Sequence, residues 1–329
     1  DSVASVVGAQ AMDVTFTSGA TEANNQALFG FSRLVSDVTI FLSGLEHESV
    51  WSAAKATGAR LEEIPARMDG AIDLDGLRAK LAGWDRNNGV PLVCVMLVNN
   101  ETGVVQPVAE AADIAHAAGG YLLCDAVQGL GRLPIDIEML GADYLTLSAH
   151  KAGGAAGIGA LVVRGSSPMG SLLFGGGQER GKRAGTENIL GAAAFAAACQ
   201  ASSDEERARV RAIRDSFEAA LLREAPEARI VGAAADRVFN TACVVAPNVA
   251  AEMAVVAMDL SGFACSAGSA CSSGKVQASR VLLSMGMEEP AAKSAVRFSF
   301  GWANEAGDGE AAALALAGLI KRAQAQQAA

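Results

Sequence analysis

Residues 91–98, Pro-Leu-Val-Cys-Val-Met-Leu-Val, contain no polar side chain. A strand that is apolar at every position, rather than at every second one, is buried on both faces. Such strands belong to parallel sheets covered by helices on either side. Further strand-like segments at 14–17, 38–42, 59–65, 121–124, 142–147 and 158–164 are separated by segments of helical composition at 20–28, 74–81 and 109–118. That alternation predicts an α/β fold around a mixed, mostly parallel sheet flanked by helices. At 329 residues the chain is long enough for two domains. Its composition shifts at Ser203 into a charged helix, 204–223, followed by strands at 238–245 and 295–300 and a helix at 251–260. The expected division is a large domain over 1–205 and a smaller α+β domain over 206–329.

The ends of the apolar runs carry the chemistry. Residues 121–124 run into Asp125, with Gln128 three residues on, and 142–147 run into Ser148-Ala149-His150-Lys151. In α/β sheets the carboxyl ends of strands line the ligand crevice. A lone lysine there is ordinarily a solvated strand end. An acid at the end of the preceding strand changes its weight, because pyridoxal phosphate needs a lysine for its aldehyde and an aspartate for its pyridine nitrogen. Ser18-Gly19 before the helix at Ala20 and Thr21 reads either as a plain cap or as an anion site, where free N–H groups and the helix dipole converge. His47 is as readily a helix cap as a catalytic group, and Asn99-Asn100 either cap a turn or reach a ligand. His116 reads as a surface residue. Residues 174–186, glycine-rich and basic, read as a surface loop or as a phosphate or subunit contact. Cys271 lies among serines and glycines, where a thiolate forms more readily than among apolar neighbours. Arg297 is the one charge on an apolar strand, either simply exposed or suited to gripping a carboxylate.

Composition removes several classes. A formal charge of -10 and a pI near 4.9, with no basic stripe, argue against nucleic-acid binding. The most apolar stretches, 189–199 and 311–320, are too short and too rich in alanine to span a bilayer. Six cysteines without a CxxC pair and three histidines make no plausible zinc site, and most of the cysteines lie in apolar runs. They are expected to be reduced thiols in a cytoplasmic protein. Residue 1 is not methionine and opens what reads as the tail of a helix, so the start is expected not to be the natural one.

Six motifs in this order resemble the cysteine desulfurases, enzymes of the class-V aminotransferase type. They are Thr17-Ser18-Gly19-Ala20-Thr21-Glu22-Ala23-Asn24-Asn25, Asn99-Asn100-Glu101-Thr102-Gly103, Asp125-Ala126-Val127-Gln128, Ser148-Ala149-His150-Lys151, Arg183-Ala184-Gly185-Thr186 and Gly268-Ser269-Ala270-Cys271-Ser272-Ser273-Gly274. The resemblance covers nearly the whole chain and implies the fold type I of pyridoxal-phosphate-dependent transferases. It implies that Lys151 holds the cofactor, that Asp125 faces the pyridine nitrogen, and that His47 stacks on the ring and helps move protons. Asn100 and Gln128 would bond around the phenolic oxygen and the substrate side. Ala20, Thr21, Ser148 and His150 would hold the phosphate, with Thr186 reaching across from a second subunit of a homodimer. Arg297 would bind the carboxylate of L-cysteine, and Cys271 would take its sulfur as a persulfide while L-alanine leaves. A sulfur-acceptor or iron–sulfur scaffold protein, or thiolated nucleosides, would be the destination.

Two departures are visible. Family members begin with several dozen further residues, and they carry bulkier residues where Ala152-Gly153-Gly154-Ala155-Ala156 follow Lys151 here. The alternatives are another class-V activity, such as a selenocysteine lyase or an aminotransferase, and a silent homologue that only binds a scaffold. The loop around Cys271 argues against simple amino transfer, and the joint presence of Lys151, Asp125, His47 and Cys271 argues against silence.

Overall fold

The computed structural model describes residues 1–268 and 278–328. Contacts divide the chain into two units, one of Asp1–Pro65, Ile72–Asn99 and Gln106–Ser202, the other of Ala66–Ala71, Asn100–Val105 and Ser203–Ala329.

The first unit contains, in order, α1 (Ser2–Ser5), β1 (Val14–Thr17), α2 (Ala20–Leu34), β2 (Val38–Ser43), α3 (Glu48–Thr57), β3 (Arg60–Ile64), α4 (Leu74–Leu81), β4 (Val90–Cys94), α5 (Val108–Ala117), β5 (Tyr121–Asp125), β6 (Tyr144–Ser148), β7 (Gly159–Val163) and α6 (Ile189–Gln200). Its sheet has the order β1-β7-β6-β5-β4-β2-β3. Only β7 runs antiparallel to its neighbours, β1 and β6; the other pairs are parallel. The all-apolar run that begins at Pro91 is accordingly an inner strand, buried on both faces. β4 ends at Cys94, yet the chain stays extended beyond it, Val95 N–H donating to the Leu123 carbonyl at 3.0 Å and Leu97 N–H to that of Asp125 at 2.8 Å. Leu28, Phe31, Ile40, Leu92, Leu123 and Leu161 pack between the sheet and helices α2 and α3. Phe31 meets Tyr121 edge-on at 5.1 Å.

An edge strand leaves a row of unpaired backbone groups that must be covered. On β1 the loop around Gln178–Gly181 covers them. Phe16 N–H donates to the Glu179 carboxylate at 3.2 Å, and the Arg180 guanidinium donates to the Val14 carbonyl at 2.5 Å. Glu179 and Arg180 take left-handed backbone angles, φ 47° and 57°, which non-glycine residues adopt only where surrounding contacts hold them. The basic loop is therefore in part a cover for the sheet of its own chain.

The second unit contains α7 (Asp204–Glu224), β8 (Arg229–Ile230), β9 (Thr241–Val245), α8 (Ala251–Leu260), β10 (Ser266–Ala267), α9 (Arg280–Ser284), α10 (Glu289–Ala292), β11 (Ala295–Ser299) and α11 (Asp308–Ala328). Its antiparallel sheet has the order β10-β11-β9-β8. Phe217 of α7 packs on Phe298 of β11 with ring centres 4.6 Å apart, and Val244, Leu316 and Ile320 extend that core. Among the described residues no helix is long and apolar enough to cross a membrane.

Candidate active site

Strand pairing sets β5, which ends in Asp125, beside β6, which leads to Lys151. Asp125, the last residue of β5, pairs in register with Thr146 of β6, and two residues later β6 ends at Ser148. A short 3-10 turn, Ala149–Ala152, then carries His150 and Lys151, so the lysine lies just past the strand rather than on it. Two glycines make this turn possible. Gly153 closes it at φ +87°, a left-handed conformation that strains any other residue. A Cβ on Gly154 would come within 3.1 Å of Ala149 and of Ala198 on α6. The small residues after Lys151 thus answer to helix packing. Arg132 braces the turn by donating to the Lys151 carbonyl at 3.0 Å. Lys151 and His150 are exposed, Ser148 is buried, and the Ser148 hydroxyl meets His150 Nδ1 at 2.8 Å. Partial burial and then the neighbouring Lys151 charge hold His150 below the usual histidine range.

Asp125 is buried. Burial pushes its carboxyl above the ordinary aspartate value, against the pull of the Asn24 amide, the Val127 N–H and the His47 ring. Asn24 Nδ2 donates to Asp125 Oδ2 at 3.0 Å, and the Val127 N–H donates to Oδ1 at 3.1 Å. His47 is the N-cap of α3, its Nδ1 accepting from the Ser49 N–H at 3.1 Å. Of the two sequence readings of His47, the structure shows the helix cap, and that cap fixes the ring on the side of Asp125.

Ala20 and Thr21 open α2. The first N–H groups of a helix have no partner within it, and Gly19 before them offers no side-chain cap. β7 approaches this point so closely that a Cβ on Gly159 would lie 2.6 Å from the Gly19 backbone. Thr186 is exposed, in a cleft of its own chain lined also by Ser18, Ile158 and Arg183. Arg183 pairs with Glu22 of α2 at 2.8 Å. Gln128 is half-buried, and its carbonyl accepts from Arg132 at 3.1 Å.

The remaining candidates belong to the second unit. Arg297, on β11, donates from Nη1 to the Asn100 carbonyl at 2.8 Å, while its Nε is buried without a hydrogen-bond partner. Cys271 lies outside the described residues. The other five cysteines are all poor thiolates. Burial, helped by the Asp259 charge, pushes Cys265 up to about 11. Burial takes Cys199 to about 11 and Cys243 to about 12, and Cys94 and Cys124 well above the usual thiol range.

Sequence reasoning assigned no role to Asn24, Ser49 or Thr146, yet Asn24 and Ser49 join Asp125 to His47 and Thr146 holds the Asn24 amide oxygen. The signal was present at Asn24. It shares the buried stripe of α2 with Ala23, Ala27, Leu28 and Phe31, and a primary amide on such a stripe must have buried partners. His116 also differs from expectation, because its Nε2 meets the buried Asp143 carboxylate at 2.8 Å.

As chemistry, the first unit offers a buried carboxylate, a helix start suited to an anion and an exposed amine on the turn beyond β6. The family described as aminotransferase class-V matches residues 1–311. The chain is 38% identical to a cysteine desulfurase of Cereibacter sphaeroides over 305 residues, 90% of this chain and 77% of that protein. It is 37% identical to a cysteine desulfurase of Sinorhizobium fredii over 295 residues, 87% of this chain and 75% of that one. Among solved structures it is similar to a NifS-like protein from Rickettsia africae, with TM-score 0.86 and 32% identity over 98% of this chain and 86% of that chain.

Proposed function

The chain belongs to the class-V aminotransferase family, among its cysteine desulfurases, and from that premise we propose that it converts L-cysteine to L-alanine and carries the sulfur as a persulfide on Cys271. The family depends on pyridoxal phosphate, and the residues of the first unit fit that cofactor. Asp125 is a buried carboxylate whose partners are an amide, a backbone N–H and an imidazole. A protonated pyridine nitrogen set against it would supply the positive charge that burial otherwise makes costly to lack. The uncapped start of α2 at Ala20 and Thr21, with Ser148 and His150, suits the phosphate, and Thr186 of a second copy would add to it. Once bound, the cofactor supplies an electron sink for bond breaking at the amino acid's Cα.

The chain's own groups do the rest. Lys151 would hold the cofactor through its Nζ, and the same amine, once free, would take the proton from the substrate's Cα. His47 would stack on the cofactor ring and hold a proton for transfer, while Asn100 and Gln128 would hydrogen-bond around it. Arg297 grips the substrate carboxylate, a use for its unpartnered Nε. The Cys271 thiolate attacks the substrate sulfur: an S–S bond forms, the C–S bond breaks with its electron pair left on carbon, and protonation of that carbon yields alanine. The raised thiols of the other five cysteines favour Cys271 as acceptor. Residues 1–205 would be the cofactor domain and 206–329 the one bearing the cysteine loop. A homodimer in the cytoplasm, passing sulfur to an acceptor or iron–sulfur scaffold protein, completes the reading. Exposed Phe174, Ile189 and Leu190 near Thr186 in sequence are the apolar surface a second copy would cover.

The observation that carries this reading is the buried Asp125 ending one strand while the next leads, through Ser148, to Lys151. The test combines two variants. Lys151→Ala should lose the borohydride-reducible bond to the cofactor and slow alanine formation by about 10³-fold or more. Cys271→Ala should still change the cofactor spectrum with L-cysteine but release almost no alanine. A reducible bond that persists in Lys151→Ala, or labelled persulfide mapped to Cys265, would overturn the assignments.

A further inference from the structure

The polar groups buried between α2, α3, β5 and β6 form one unbroken chain of hydrogen bonds, and its donor directions are fixed. Asn24 turns its Nδ2 toward Asp125 Oδ2, 3.0 Å away, because a carboxylate accepts and would repel the amide oxygen. The second Nδ2 hydrogen goes to Ser49 Oγ at 3.0 Å, and the Asn24 oxygen accepts from the Thr146 hydroxyl at 2.7 Å. Asn24 and Thr146 are fully buried, so an amide with all its hydrogen-bonding groups engaged is what their environment demands. With an Oγ lone pair taken by Asn24, the Ser49 hydroxyl gives its own hydrogen to His47 Nδ1 at 2.8 Å. The Ser49 backbone N–H is directed at the same nitrogen, and an N–H can only donate. Two donors thus converge on Nδ1, which carries no hydrogen, and the neutral ring holds its hydrogen on Nε2.

We propose that Asn24 and Ser49 are positioning residues that set the His47 tautomer, relaying the orientation of Asp125 through one amide and one hydroxyl so that His47 offers Nε2–H. The use of that hydrogen toward a ring-shaped ligand rests on the proposed function; the tautomer itself does not. The consequence is directional. His47 begins as a hydrogen-bond donor at Nε2, and a tautomer with hydrogen on Nδ1 would set two hydrogens against the Ser49 N–H and hydroxyl.

The test is long-range 1H–15N spectroscopy of 15N-histidine-labelled protein, without and with cofactor, at about pH 9, above the ordinary histidine range. The chain has three histidines, and spectra of His116→Gln and His150→Gln identify the His47 signals. Wild-type His47 should show an unprotonated Nδ1 and a protonated Nε2. Ser49→Ala, which keeps the backbone donor, should lower the tautomer ratio about fivefold, one hydrogen bond's worth, and Ser49→Thr should restore it. Asn24→Asp should loosen it as well, by giving the Ser49 hydroxyl a competing acceptor. A dominant Nδ1–H signal in the wild type, or a ratio unmoved in folded Ser49→Ala, overturns the proposal. Should the ratio respond as stated while the protein forms no alanine from cysteine, the relay stands and the desulfurase reading falls. If alanine is formed and the ratio does not respond, the reverse holds.

Discussion

Two buried carboxyls, one in each unit, show how differently a fold can treat the same problem. Asp125 of the first unit is held by an amide, a backbone N–H and the His47 ring. Glu101 of the second unit accepts from the Ser279 hydroxyl at 2.6 Å and feels the charges of Arg297 and Arg280. Burial nevertheless pushes Glu101 up to about 7, the hydroxyl and the two guanidiniums recovering only part of the cost. Glu101 thus has cations within its own unit, whereas Asp125 is fixed by Asn24 of α2, the turn N–H of Val127 and the N-cap His47, and leaves a place for a positive charge. A buried acid with neutral donors and no strong cation marks a binding site more sharply than one already compensated by arginines.

The widest separation between the two should come from neutralising each. Asp125→Asn keeps the shape and one acceptor oxygen but removes the charge opposite the cofactor nitrogen, and should slow alanine formation by about 10²- to 10³-fold. Glu101→Gln should change the rate at about pH 8 by less than about threefold, because the Glu101 carboxyl touches neither substrate nor cofactor in the proposed reading. Steady-state rates at saturating cysteine and cofactor check both. Equal losses would mean that the distinction between the two carboxyls is false.

Glu101 should dominate instead in stability against pH. Its folded value of about 7 lies above the ordinary glutamate value of 4.5, so between these limits the folded chain keeps a proton that the unfolded chain has released. That contribution is fully present below about 4.5, falls as pH rises through about 7, and is level above it. The expected loss is at most about 3 kcal/mol. Urea unfolding at about pH 5 and about pH 8 should show it in the wild type, with the difference reduced in Glu101→Gln. An unchanged pH dependence in that variant would remove Glu101 as its source.

The same contrast explains what could be read from the sequence. Strands β4, β5, β6 and β7 are legible because burial on both faces writes itself into largely apolar runs, whereas their order in the sheet is given by the structure alone. Asp125 and Lys151 are legible because strand ends are where such sheets bind ligands. What joins Asp125 to His47 is not, since the Asn24 contact spans 101 residues and depends on how closely α2 lies on the sheet. The Asn24 position on an apolar stripe announces a buried amide without naming its partner. The pairing of His116 with Asp143 and the covering of β1 by Glu179 and Arg180 are equally non-local, so a surface histidine and a free loop were the natural readings.

The smallest expected effect concerns the first turn of α2. Glu22 accepts from Arg183 Nε at 2.8 Å and Nη2 at 3.2 Å, and from the Ser18 N–H at 2.9 Å. Burial raises its carboxyl, but the Arg183 and Ser18 bonds outweigh that and hold it below the usual value. This pair ties the loop carrying Thr186 to the helix whose start is assigned to the phosphate. Its stabilisation is present above the unfolded glutamate value and is lost as pH falls through the depressed folded one, the opposite slope to that of Glu101. Because both side chains keep some contact with water, Arg183→Ala should cost about 1 kcal/mol near neutrality. Urea unfolding should find the gap between wild type and variant narrowing as the pH drops below about 4. A gap that stays constant would assign the cost to lost packing of the arginine stem rather than to its charge.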